Sequence, residues 1–406
     1  MAKISQMSGQ YFIFAATTTW DPIGNSACFG YDSQTAEANN NVIYRNAGVL
    51  NDLYAHVYQN TVNGTSTVRV RKNNANGNST ISIGSSATGE FQDSSNSDTI
   101  SAGDTLNYQT VGGGSSGSAQ GSLSTVFAAT VNTKTHHINT VTSDFNGIST
   151  TYYSPIEGQE STTNTTEADA QFRYNSSASL ANLYTYVGVN TNITATTLRM
   201  RKNLADGNLT VSCTGLTTGA FEDITNTDTV VATDDVNWRI TTGVTVTDFI
   251  FDLISVESIS TDNTFSSIAQ NISSTGSLGA NTTHYDWFGG LPGSSGNTEA
   301  DVQSKILVSC TAGYLFVYVK TNSRSDASTY DFRKNATSTS ISISITASTT
   351  GKFTDTSHTS SLTSTDKVNY RMVTGAGTGT ILYNPVGSML TSVASTFQNS
   401  NFFAFM

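Results

Sequence analysis

One block of sequence occurs three times, and it constrains the fold more than any other feature. Val68-Arg69-Val70-Arg71-Lys72-Asn73 leads into Ile81-Ser82-Ile83, Gly89-Glu90-Phe91-Gln92-Asp93 and Asp104-Thr105-Leu106-Asn107-Tyr108. The succession returns from Leu198-Arg199-Met200-Arg201-Lys202-Asn203 to Asp235-Val236-Asn237-Trp238, and again from Phe332-Arg333-Lys334-Asn335 to Asp366-Lys367-Val368-Asn369-Tyr370. Arg201 lies 130 positions after Arg71, and Arg333 lies 132 after Arg201. Phe91, Phe221 and Phe353 keep those offsets, and the upstream segments Thr35-Ala36-Glu37-Ala38-Asn39, Thr166-Glu167-Ala168-Asp169 and Thr298-Glu299-Ala300-Asp301 agree as well. Solenoid and propeller repeats run about 20–50 residues, so each copy here is long enough to be a whole domain. The expected division is 1–130, 131–260 and 261–406, the third carrying a C-terminal tail.

Within a copy the pattern has period two. Val68 and Val70 oppose Arg69 and Arg71, as side chains do on successive positions of a strand. Asn73 to Asn78, with Asn76-Gly77, predicts a hairpin turn, and Asp206-Gly207 matches it. Ala336-Thr337-Ser338 predicts a different turn in the third copy. No capped amphipathic helix is evident. Many short strands in about 130 residues predict an all-β chain of three tandem jelly-roll β-sandwiches.

The Arg-Lys-Asn strand end, the polar hairpin and the later Gly-x-Phe-x-Asp resemble the C1q/TNF-like jelly rolls, of the kind seen in tailed-phage structural proteins. The resemblance covers roughly 50–113, 180–243 and 313–375. Members of that class usually trimerise, so it implies a pseudo-threefold, single-chain trimer.

Composition narrows the function classes. Charged residues are 12% of the chain against about 25% in a typical domain. The net charge is −11, which disfavours phosphate neutralisation and hence nucleic acid, and likewise anionic membranes. No apolar run approaches the roughly 20 residues of a membrane span. Tyr11 to Ala16 is too short for a signal-peptide core, so synthesis in the cytoplasm without a signal peptide is expected, with a virion surface or extracellular assembly as destination. Cys28, Cys213 and Cys310 are odd in number and show no zinc spacing. Cys213 stands where Ile83 and Ile345 stand, which predicts a buried apolar place.

Candidate residues follow from the repeat. Scarce cations concentrate at Arg69, Arg71, Lys72, Arg199, Arg201, Lys202, Arg333 and Lys334. They are expected either to pair across domains or subunits, with Glu37, Glu167 and Glu299 as partners, or to form a solvated strand face. Asp93, Asp98, Asp104, Asp223, Asp228, Asp234, Asp355 and Asp366 are either calcium ligands, which would need six to eight oxygens in all, or turn-shaping residues. Phe91, Phe221 and Phe353, with Tyr108, Trp238 and Tyr370, read as core aromatics before sugar-stacking ones. Phe402, Phe403 and Phe405 make the tail a docking strand or a strand packing at home. His136-His137 lies at a domain junction without a third ligand at a recognisable spacing.

No nucleophile elbow, P-loop or dinucleotide glycine pattern is present, so no catalytic or cofactor residues are assigned. The expectation is a non-enzymatic virion structural protein: a capsid decoration, spike or tail-associated component contacting other virion proteins or itself. The alternatives are an extracellular filament subunit and a carbohydrate-binding adhesin recognising a surface glycan. A hydrolase stands last.

Overall fold

Alternating strands in this chain stack as paired sheets in the computed structural model, which describes residues 10–20, 25–27, 33–34, 37, 41–129, 134–141, 144–160, 163–174, 176–244, 248–260, 264–271, 277–288 and 298–393. The chain is all-β, and its sheets are mainly antiparallel.

In the middle unit one sheet places Lys134–Val141 beside Phe249–Ser260, then Ala178–Asn190, then Gly219–Val230. The other places Thr151–Ser154 beside Asp235–Thr241, then Thr196–Lys202 and Ala205–Cys213, with Phe172–Arg173 also paired to Asp235–Thr241. Numbered along the chain, the main strands run 1-8-3-6 in one sheet and 2-7-4-5 in the other, which is jelly-roll order. The first unit repeats this with Gln10–Trp20, Ala119–Ala129, Gly48–Asn60 and Gly89–Ile100. The third repeats it with Thr264–Asn271, Ile381–Val393, Cys310–Asn322 and Gly351–Leu362.

The period-two residues fill the space between the sheets. Val68, Val70, Ile81, Ile83 and Tyr108 are buried, as are Leu198, Met200, Val211, Cys213 and Trp238. Tyr330, Phe332, Ile343, Ile345 and Tyr370 do the same in the third unit. Burial of this kind stabilises by about 25 cal/mol per Å² of apolar surface removed from water.

The hairpin turn falls elsewhere than its Asn-Gly pair predicts. Positive φ occurs at Asn73 and Asn74 (50° and 61°), at Asn203 and Leu204 (50° and 65°), and at Asn335 and Ala336 (50° and 57°). Two consecutive left-handed residues are the signature of a type I′ turn, so all three copies use the same turn. Asn76-Gly77 lies inside the following strand, Ala75–Ile83. Gly77 is needed there because a Cβ would meet the Asp98 carboxylate at 2.8 Å; at Gly207 it would meet Asp228 at 2.6 Å. The third unit has Thr339 and Ser360 at those two places, so glycine and aspartate vanish together.

Candidate functional site: internal clamps and three seams

The repeated cations act inside their own units. Arg71 donates from Nε and Nη2 to the two Glu37 oxygens at 2.8 and 2.7 Å. Arg201 grips Glu167 at 2.8 and 3.0 Å, and Arg333 grips Glu299 at 2.8 and 2.9 Å. Each guanidinium also donates to the carbonyl of the second turn residue, Asn74, Leu204 or Ala336. That bond holds a left-handed residue that costs about 1–2 kcal/mol when it is not glycine. Lys72, Lys202 and Lys334 donate to the carbonyls of Thr99, Thr229 and Ser361 at 2.9, 2.8 and 2.9 Å. Asn73, Asn203 and Asn335 donate to Asp104, Asp234 and Asp366 at 2.6, 2.6 and 2.7 Å. Arg-Lys-Asn is thus a clamp on the hairpin and its neighbours.

The expected pairing across domains is corrected by this geometry. Each glutamate lies 34 residues upstream of its arginine in the same unit. Arg199 joins Asp206 at 3.3 Å, also at home, and Arg69 is half-buried on its strand. The Arg71 hydrogen bonds hold the Glu37 carboxyl below the usual range, overcoming its burial. Arg201→Met is expected to cost about 2 kcal/mol, the scale of charge-assisted hydrogen bonds that retain some solvent contact. Urea unfolding of Arg201→Met, Glu167→Gln and the double variant checks it, the double costing less than the sum.

The aspartates are anchors for backbone N–H groups. Asp93 accepts from Thr80 N at 2.9 Å, Ser95 N at 3.2 Å and Asn96 N at 3.1 Å. Asp98 accepts from Asn78 N at 2.6 Å and Ser79 N at 3.1 Å, and Asp228 from Asn208 N and Leu209 N at 2.8 and 2.9 Å. Asp104, Asp234 and Asp366 accept from Ser101 N, Val231 N and Thr363 N at 2.8, 2.9 and 2.8 Å. Asp223 and Asp355 repeat the Asp93 pattern. Oxygens already facing N–H donors present no cluster for a cation. Among the described residues no group of three or more His, Cys, Asp or Glu could hold a metal ion. These backbone hydrogen bonds are the turn-shaping role.

The junction histidines His136 and His137 and the described cysteines are largely enclosed. His137 meets Glu157 Oε2 through Nδ1 at 2.8 Å and the Tyr174 hydroxyl through Nε2. His136 lies against the Tyr44 ring at 4.9 Å, and burial pushes its pKa down to about 4. Burial pushes the Cys213 and Cys310 thiols up to about 12. Tyr108, Trp238 and Tyr370 are fully buried, and Phe91, Phe221 and Phe353 pack at the edges of the cores. Cys28, Phe402, Phe403 and Phe405 lie outside the described residues.

What the units present to one another is more specific. Tyr54, Tyr184 and Phe316 occupy equivalent positions and are 2%, 4% and 1% exposed, because each is covered by a neighbouring unit. Tyr184 joins the core of the first unit, Phe316 that of the second and Tyr54 that of the third. The contacts are head to tail. Arg45 of the first unit meets Glu222 of the second at 2.8 Å, and Asn46 donates to buried Glu257 at 2.6 Å. Phe172 of the second packs edge-on to Phe316 of the third, 4.9 Å between ring centres, and Asp235 pairs with Lys352. Lys305 of the third sits 5.4 Å from the centre of the Tyr54 ring of the first and donates to Gln92 at 3.0 Å, and Lys367 pairs with Glu90. Each unit therefore touches both others. The aromatic knob was visible as a repeated Leu-aromatic pair, but nothing in one copy alone says that it faces another.

No family model matches this chain, and no curated protein matches it. A Paenibacillus xanthan lyase is similar over 71% of this chain at 13% identity and a TM-score of 0.18; the chain spans 30% of that enzyme's length. A structure described as the triple jelly-roll fold and turret assembly of an archaeal virus is similar over 93% of this chain and 90% of its own, at 12% identity and a TM-score of 0.17. At those scores neither likeness carries the function, and the jelly-roll assignment rests on the strand order of the chain itself.

Proposed function

We propose that the chain is a non-enzymatic virion structural protein, serving as a capsid decoration, spike or tail-associated component of a phage-like particle. The observation that carries this reading is the head-to-tail closure of three jelly rolls by one chain, with an aromatic buried at each seam. Such a chain supplies a finished trimer-like block that needs no oligomerisation step. Its repeated ionisable groups are engaged in clamps, which suits a rigid part. One further feature fits a fixed neighbour. Ile148, Ile193, Leu216 and Val244 are exposed in the middle unit. Hydrogen bonds between Leu216 N and Asn192 O, Val244 N and Thr194 Oγ1, and Ser149 N and Gly243 O bring their loops to one end. Asn63, Ser86 and Gly114 stand at three of these places in the first unit, and Ser325, Ser348 and Ala376 in the third. Among the described residues this apolar loop cluster is a feature of the middle unit, which also exposes Leu204, Ile224 and Val231 elsewhere.

Purified particles labelled with antibody against the chain are expected to carry it in a regular array that survives high-salt washing. Recovery of the chain only as a free protein would overturn the reading. Glycan-array binding by the free chain, without particle association, would move it to the adhesin class.

A further inference from the structure

The three seams share one geometry but carry three different sets of charges. Strand register makes Thr105, Asp235 and Lys367 equivalent, each opposite Ile43, Arg173 or Lys305. The facing positions on the next unit are Glu90, Ala220 and Lys352, with Gln92, Glu222 and Thr354 two residues on. Asp235 of the second unit pairs with Lys352 of the third, and Lys367 of the third pairs with Glu90 of the first. These are the same two positions with the polarity reversed. Between the first and second units those positions are Thr105 and Ala220, both uncharged, and Arg45 takes Glu222 instead.

We propose that these substitutions form a charge key that fixes the cyclic order of the three units and rejects the reverse order and self-pairing. The third unit presents a cation, Lys352, where the first presents an anion, and only the second unit offers an aspartate to meet it. In the reverse order the Arg45 edge of the first unit would face Lys352, and Asp235 would face Glu90. A third unit meeting a copy of itself would set Lys367 against Lys352. The side chains of Lys352 and Asp235 are 15% and 17% exposed, so their pairing is only partly screened by water. Arg173 holds Asp235 from its own unit at 3.0 and 3.1 Å and aims it. Like charges brought together at a packed surface discriminate against wrong partners more than correct pairs add affinity.

The test keeps composition and net charge constant. In Thr105→Asp/Asp235→Thr the aspartate moves from the second unit to the equivalent place in the first. Threonine already occupies that place in one jelly roll, so the sandwich tolerates it. The full chain is unfolded in guanidinium, refolded and treated with a zero-length carbodiimide, and linked peptides are mapped. The natural chain is expected to give Lys352–Asp235 and Lys367–Glu90 links. The transplant is expected to give a new link from Lys352 to the carboxylate moved onto the first unit. It is also expected to give about tenfold less native-order product, the factor that about 1.4 kcal/mol sets. Refolding at the natural yield with the Lys367–Glu90 link alone would overturn the key. If the transplant does not refold, Asp235→Thr alone decides. It must lower the native-order yield, as must refolding the natural chain in about 1 M salt, where the screening length falls to about 3 Å. Unchanged yields in both would overturn the key equally.

Discussion

Replacing Phe316 by alanine is expected to lower the unfolding free energy by about 3–5 kcal/mol, the range for an aromatic removed from a packed interior. Phe316 is on the third unit, yet its ring is 1% exposed and belongs to the core of the second. The substitution deletes the edge-on contact with Phe172 and leaves a void that two rigid sandwiches cannot both close. Because the loss falls on a seam, it also uncouples the units. Urea unfolding followed by intrinsic fluorescence should shift to lower denaturant and broaden, with a smaller m-value as the units cease to open together. Phe316→Leu should recover most of the loss, since it restores volume without the ring. A shift no larger than that of an exposed alanine substitution would mean that the seam contributes nothing to folding.

Positions that keep the same character in all copies report what each unit needs within itself, and those were readable. The alternation of Val68 and Val70, or of Leu198 and Met200, predicts the strands that line the cores. The place of Cys213 between Ile83 and Ile345 predicts its burial. The Arg-Glu pairing was also readable, but its location was not, because a repeat does not reveal whether partners meet within a copy or between copies. Asn76-Gly77 misled for a different reason. It is a strong local turn signal, yet the glycine answers to Asp98, a partner on the next strand, which belongs to the other sheet. The seams were hidden because they are written in the differences between copies: Thr105, Asp235 and Lys367 against Glu90, Ala220 and Lys352. Three buried neighbours in a row, Leu53-Tyr54-Ala55, break strand alternation and mark a strand covered on both faces. That phase error, repeated at Leu183-Tyr184 and Leu315-Phe316, is the one local sign of a neighbour.

The second large effect is expected at Asp223, on a strand that leaves its ladder. The register between Ala178–Asn190 and Gly219–Val230 passes from Ala181 opposite Thr227 to Leu183 opposite Asp223, so Gly219–Val230 bulges there. Asn182 takes φ of 54° opposite the bulge. The Asp223 carboxylate holds this excursion by accepting from Thr210 N at 2.9 Å, Thr225 N at 3.2 Å and Asn226 N at 3.0 Å. Burial acts to raise its pKa, but the hydrogen bonds from Thr210, Asn226 and Thr225 outweigh it and hold the pKa at about 2, below the ordinary 3.8. A carboxyl depressed in the folded state stabilises fully above its unfolded pKa and loses that contribution as pH falls through the folded one. Its stabilisation is therefore complete above about pH 5 and fades toward pH 2. Asp223→Ala leaves backbone donors unmet in a site that is 6% exposed, at a cost of about 3 kcal/mol at pH 7. The variant should also have a flatter stability profile between pH 5 and 2, so the gap from the natural chain narrows on acidification. Paired urea titrations at pH 7 and pH 3 decide it. A gap that is the same at both would show that the carboxylate charge is not what holds the bulge.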